Sequence, residues 1–204
     1  LDGDGKKEVV MGNSYTAAVV YSPEGKVIGS GGGSGHAGPL DLTCADLDCN
    51  GKGEIIVGDR AGLITFQEWK GRTMPTYSTG MDVVSVATGD LEGDGRLETA
   101  AASRNYMLYV FDADGTSLWS RNLLSSCRDV IIADVMGEAA SEVICACEDG
   151  QVKVLDAAGN LVGWFQGGGW MRAVAACELD GNPVTKELAV TCDDGSVYGL
   201  QVVE

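Results

Sequence analysis

Acids placed at every second residue ahead of a glycine can wrap a hard cation, and this chain carries that pattern more than once. In Asp90-Leu91-Glu92-Gly93-Asp94-Gly95-Arg96-Leu97-Glu98 the carboxylates alternate, a glycine allows a tight turn, and a last carboxylate follows. Ca²⁺ takes about six to eight oxygens at roughly 2.3–2.6 Å, and alternating acids on a curling backbone supply them. Asp90, Glu92 and Asp94 are the expected side-chain ligands, the Arg96 carbonyl a backbone ligand, and Glu98 the residue that closes the site. The same assignment gives Asp46, Asp48, Asn50, Lys52 and Glu54 in a second loop. It gives Asp2, Asp4, Lys6 and Glu8 in a first loop, whose leading acid would precede Leu1. About two to three Ca²⁺ sites are expected, with a structural role; Mg²⁺ prefers a small octahedral shell that keeps several waters. The plainer reading is an Asx-rich turn that needs no metal.

Stepping outward from the loops, their spacing sets the architecture. The closing glutamates are Glu8, Glu54, Glu98, Glu142 and Glu187, at intervals of 46, 44, 44 and 45 residues. The last two belong to worn copies, Asp134-Val135-Met136-Gly137-Glu138 and Glu178-Leu179-Asp180-Gly181-Asn182. A fixed period of about 20–50 residues marks a solenoid, a propeller or an array. In each unit a strand leads into the acidic loop, as from Val83 to Gly89, and a second leaves it, as from Glu98 to Ala102. A third follows a short turn, from Met107 to Phe111, and a fourth follows a glycine turn, from Ser117 to Leu123. Val, Ile, Tyr and Ala fill these segments and turn residues bound them, while no stretch holds helical periodicity.

Four short antiparallel strands repeated radially describe a β-propeller. The expected fold is all-β: about five four-stranded blades with the first and last incomplete, or an arc of a larger propeller. It forms a single domain over 1–204, with repeats near 1–35, 36–80, 81–124, 125–169 and 170–204. Thirty glycines among 204 residues suit the many turns. A net charge of −16 argues against nucleic acid and anionic membrane surfaces as partners, and no apolar run is long enough for membrane insertion. The chain starts inside a repeat without an initiator Met, so a processed or excised piece is expected. Seven cysteines and one histidine show no zinc-type spacing. Cys145 and Cys147 share a strand face and read as buried thiols.

The motif D-x-D-G-D-G-x-x-E followed by a strand resembles the FG-GAP/VCBS repeat of integrin α-subunit propellers, bacterial surface proteins and propellers attached to polysaccharide-degrading enzymes. Asp2-Gly3-Asp4-Gly5, Asp48-Cys49-Asn50-Gly51 and Glu92-Gly93-Asp94-Gly95 carry the resemblance, which extends over the chain as five repeats. It implies a propeller with Ca²⁺ between the first and second strands, without implying one activity. Met136 at a ligand position, and Pro183 with an extra residue, depart from the pattern and argue against metal in repeats four and five. Tyr109 to Gly115 and Val152 to Gly159 resemble quinoprotein-like blades in shape only.

The end of the blades opposite the acidic loops is the expected ligand face. Tyr15, Tyr106 and Trp170 could stack on sugar rings there, and Arg60, Arg104, Arg128 and Arg172 could pair with carboxylates. Arg128 and Arg172 share a repeat position. The competing reading is that these arginines neutralise acids of their own chain and that the aromatics cover blade edges. Gly29 to Gly38 matches no P-loop and reads as a flexible blade crossing, with Gly167-Gly168-Gly169 in a corresponding place and His36 a loop residue. Trp119 and Trp164 read as blade packing.

No nucleophile motif is present, and most of the carboxylate pairs are assigned to cation loops. A non-catalytic, calcium-stabilised binding module is therefore expected, with a glycan or surface protein as partner and an extracellular, cell-surface or periplasmic location. The alternatives are the propeller part of a polysaccharide-degrading lyase or hydrolase, and an assembly protein that self-associates through its end blades.

Overall fold

A computed structural model describes residues 1–13, 17–31, 37–68, 70, 73–137, 140–179, 181 and 186–202, and gives no side-chain placement for 17, 31, 73 and 74. The described residues form eighteen strands and no helix. The first sheet holds β1 (Val9–Asn13), β2 (Ala17–Tyr21) and β3 (Val27–Gly31). Three four-stranded sheets follow. The second is β4 (Pro39–Ala45), β5 (Glu54–Asp59), β6 (Leu63–Glu68) and β7 (Thr73–Ser78). The third is β8 (Val83–Gly89), β9 (Glu98–Ser103), β10 (Met107–Phe111) and β11 (Ser117–Asn122). The fourth is β12 (Cys127–Ala133), β13 (Glu142–Cys147), β14 (Gln151–Leu155) and β15 (Leu161–Gln166). The last has three strands, β16 (Met171–Cys177), β17 (Glu187–Cys192) and β18 (Val197–Gln201). All pairings are antiparallel meanders, one sheet to a repeat, as expected for a propeller of about five blades.

The second strand of each full blade is covered on both faces. β5, β9 and β13 are buried at every position, and their sequences are correspondingly continuous apolar runs rather than alternating ones. Four apolar clusters fill the seams between successive sheets. In the seam between blades two and three, Phe66 meets Phe111 edge to face at 5.6 Å between ring centres, and Tyr77 packs on both Phe111 and Tyr109.

First strands pack on first strands, β4 on β8, β8 on β12 and β12 on β16, and a repeated bulge joins them. The register shifts between Pro39 and Asp41, Val83 and Ser85, Cys127 and Asp129, and Met171 and Ala173. The residue after three of these bulges reaches into the following blade. Asp41 Oδ2 accepts the Val86 amide (2.9 Å), Ser85 Oγ the Val130 amide (3.2 Å) and Asp129 Oδ2 the Val174 amide (2.8 Å). Each peg satisfies a backbone donor that the sheet itself leaves over.

Two expectations need correction. Trp119 does pack between blades: its indole N–H donates to the Ala157 carbonyl, and its ring covers Gly159 so closely that a Cβ there would lie 2.9 Å away. Trp164 does not; it is 62% exposed, because it pairs with Lys153 whereas Trp119 pairs with Val110, the counterpart of Val154, so the two rings leave opposite faces of their strands. Nor is Gly167 to Gly169 a loose crossing. A Cβ on Gly167 would meet Met171 at 2.4 Å and one on Gly168 would meet Asp194 at 2.7 Å, so this segment lies flat against its neighbours. The residues from 32 to 36, His36 included, lie outside the described residues, as do Tyr15, Glu138, Asp180, Asn182 and Pro183.

Candidate cation loops and ligand face

Every closing glutamate first serves as a latch. Glu54 Oε2 accepts the Leu47 amide, Glu98 that of Leu91, Glu142 that of Val135 and Glu187 that of Leu179, all at 2.8–3.0 Å. In the first repeat the Leu1 amino group donates to Glu8 at 2.6 Å. The latched residue is always apolar, and Leu47, Leu91 and Val135 are buried plugs. This explains why the worn repeats keep the glutamate: it fixes the loop to the strand whether or not a cation is held. Burial raises Glu54 and Glu98 above the ordinary carboxylate range, against the lowering effect of the latching amides; the loop acids nearby push the same way. A divalent cation would relieve that repulsion.

The leading acids are organised by their own backbone. Asp90 accepts the amides of Gly93, Asp94 and Gly95, and Asp46 those of Asn50 and Gly51. The amides of Lys6, Lys52 and Arg96 donate at 2.8 Å to Asp4, Asn50 and Asp94 respectively. These are Asx turns, and each carboxylate keeps lone pairs beyond those bonds. Carboxylate oxygens of Asp2, Asp4 and Glu8 lie within 4.8 Å of one another, as do those of Asp46, Asp48 and Glu54. That spacing fits oxygens around one Ca²⁺ at about 2.3–2.6 Å each. The third loop forms no such triad among the described residues. Asp90 is engaged by three amides, Glu92 and Asp94 lie in solvent, and Arg96 reaches away to Asp112 at 3.7 Å.

At the opposite end, the turns after each second strand carry the charged candidates. Their first amides are clamped by the blade crossing: Arg60 to the Gly38 carbonyl, Arg104 to Asp82, Glu148 to Ser126 and Asp193 to Trp170. Arg60 and Arg104 are exposed on their turns, and Arg104 pairs with Asp82 at 3.4 Å. In repeats four and five an acid takes the turn position that Arg60 and Arg104 hold. The arginine stands on the bulge and the acid on the turn, giving Arg128 with Glu148 at 2.5 Å and Arg172 with Asp193 through two parallel contacts. The Arg172 guanidinium lowers Asp193 and is itself raised by it. Arg128 Nε is close to Glu148 but not aimed at it, and is left without a hydrogen-bond acceptor.

The structure brings Arg128, Trp170 and Arg172 together. Both guanidinium carbons lie over the Trp170 ring, at 5.9 and 5.3 Å from its centre, within cation–π range. Trp170 remains 46% exposed. Tyr106 is 51% exposed on its own turn, and among the described residues no ion pair or ring contact links it, Arg60 or Arg104 to this cluster. Sequence reasoning missed the latch, the pegs and Lys153. The pegs were signalled by polar residues recurring inside apolar first strands at Asp41, Ser85 and Asp129. Lys153 is buried and donates to the Leu123 carbonyl and Asp149 beside a cleft of about 510 Å³ that Arg121 and Asn160 also line; a lysine in an alternating strand gives no sequence signal of burial.

No family model matches the sequence, and no curated protein matches it. The fold does match solved structures. Saccharomyces cerevisiae Sqt1 aligns with TM-score 0.81 at 13% identity, over 98% of this chain and 57% of that one. BBS1N, in complex with ARL6DN, aligns with TM-score 0.77 at 15% identity, over 97% and 57%. The computationally designed Ika8 protein aligns with TM-score 0.70 at 16% identity, over 96% and 55%. The chain thus spans less than two thirds of the length of these structures, and what it shares with them, at such identities, is the β-propeller fold.

Proposed function

We propose that this chain is a non-catalytic β-propeller module of the FG-GAP/VCBS kind, held by Ca²⁺ in its acidic loops, that docks a glycan or surface protein at the opposite end. The observation that carries the binding reading is the half-exposed Trp170 between Arg128 and Arg172. Stacking surface and fixed cations converge on strand ends. An aromatic flanked by arginines offers a flat apolar face with polar donors at its rim, which suits a sugar ring bearing carboxylates or an acidic protein surface. The complex of BBS1N with ARL6DN is a precedent for protein docking on this architecture. A location outside the cytoplasm, where Ca²⁺ is plentiful, accords with the loops.

Electrophoresis of the chain through gels containing acidic or neutral polysaccharides, with Ca²⁺ present, tests the glycan arm. Retardation by one class is expected, and Trp170→Ala or Arg172→Ala should reduce it at least several-fold without changing the melting response to Ca²⁺. Absence of retardation in every gel removes the glycan and leaves a protein partner.

A second reading, self-association through the end blades, is favoured by the outer face of the first sheet. Val9, Met11 and Val27 point away from the seam with blade two and are more than half exposed.

A further inference from the structure

Three cysteines are buried together where blades three and four meet: Cys127 on β12, and Cys145 and Cys147 on β13. The ladder places Cys127 directly opposite Cys147. Just beyond them the Glu148 amide donates to the Ser126 carbonyl at 2.8 Å. In an antiparallel ladder that bond makes Cys127 and Cys147 a non-hydrogen-bonded pair, in which facing Cα atoms approach to about 4.5 Å and side chains are closest. Such a separation lies inside the window of roughly 4.4–6.8 Å that a disulfide spans. Among the described ladders no other register pair sets two cysteines face to face. Cys44 faces Ile55, Cys177 faces Glu187, Cys192 faces Met171, and Cys145 faces Val130 and Lys153. The equivalent positions in the other blades hold Pro39 with Asp59, Val83 with Ser103, and Met171 with Cys192.

We propose that Cys127 and Cys147 form an oxidation site, closing a cross-strand disulfide by exchange with a small-molecule disulfide such as oxidised glutathione. One cysteine, as thiolate, attacks a glutathione sulfur, forming a mixed disulfide and releasing one reduced glutathione. The second cysteine then displaces the other glutathione. Two protein thiols are oxidised, one glutathione disulfide is reduced to two thiols, and the two cysteine protons leave on them. In the folded chain both thiols are sealed from solvent and held protonated, Cys127 by its contact with Cys145 and by burial against the lowering effect of Cys147, and Cys147 by its contact with Cys127 and by burial. The exchange therefore belongs to folding, or to local opening of the strand pair, in an oxidising compartment. Its consequence falls on the ligand face. Cys127 immediately precedes Arg128 and Cys147 immediately precedes Glu148, so the bond fixes the two backbones that carry this ion pair.

Cys145 is also within hydrogen-bonding reach of Cys127 and is the competing partner. The test is to refold the reduced, denatured chain in a glutathione redox buffer, and then count thiols in denaturant and map peptides without reduction. The expected result is two thiols fewer than the seven in the sequence, a mass lower by two hydrogens, and a crosslink that survives in Cys145→Ala but is absent in Cys147→Ala. The oxidised form should also melt at a higher temperature, and reductant should remove the difference. Seven free thiols after refolding to the native state overturn the proposal, and so does a crosslink that persists in Cys147→Ala. If a variant fails to fold, fragmentation of the crosslinked peptide from the parent chain decides between Cys145 and Cys147.

Discussion

Tyr106 stands at φ 69°, in a turn position where glycine occupies three sister repeats, Gly62, Gly150 and Gly195, at φ 78–87°. A side chain in the left-handed region costs about 1–2 kcal/mol, and retained strain of this kind points towards a binding role. Tyr106→Gly is therefore expected to raise stability by about 1 kcal/mol while weakening ligand retention; a lower melting temperature would sink this account of the turn. Asp41 makes the second residue-scale prediction. Burial raises its carboxyl above the usual range, outweighing the Val86 and Leu42 amides that lower it, with Asp129 adding repulsion. The folded state then holds the proton more tightly than the unfolded chain. The stability this gives is complete below the unfolded value near 3.9 and is lost as pH rises through the folded one. Asn cannot titrate, so the stability of Asp41→Asn relative to the parent should climb with pH across the acid range, read from urea midpoints. A flat or falling difference contradicts the assignment.

Among the elements, the acidic loops separate latch from cation cradle. Glu54, Glu98, Glu142 and Glu187 latch their loops alike, yet only the first two loops gather three carboxylates within 4.8 Å among the described residues. A ligand present at a hundred times its dissociation constant stabilises by about 2.7 kcal/mol. Asp48→Ala should remove most of the rise in melting temperature that saturating Ca²⁺ produces, and Asp94→Ala distinctly less. Equal losses would show that the third loop closes on the metal as fully as the second. Equal melting with Ca²⁺ and with chelator in the parent would remove the metal altogether.

For the molecule as a whole, four seams join five sheets in series, and the outermost faces differ in character. The first sheet turns Val9, Met11 and Val27 outward, while the last presents Ala173, Ala175 and Thr191 with Val197. Apolar faces of this kind tend to pair. Sedimentation velocity should show the parent growing with concentration, and Val9→Glu with Met11→Glu holding the chain at its smallest size. A parent that stays at one size across the range argues against pairing through this face. The charge of −16 opposes association, so added salt should promote it.

The sequence by itself determined the propeller, the number of repeats and the acidic loops, because those features are local. An Asx turn is made by residues two to five apart, and a strand's burial follows from its own apolar pattern, so both are legible within one repeat. Contacts between repeats were decided by the tertiary structure. Asp41 meets Val86, and Arg128 meets Trp170, only because a bulge re-aims one residue per first strand and each blade is set against the next. Trp164 was left in solvent while Trp119, one register position away in the preceding blade and so on the opposite face of its strand, found Gly159 to cover. It also drew the carboxylates of the second loop together and left those of the third apart, although their residue types are nearly the same. A pattern of residue types fixes which groups line a loop; how far their oxygens converge depends on what each carboxylate and its neighbours are already bound to.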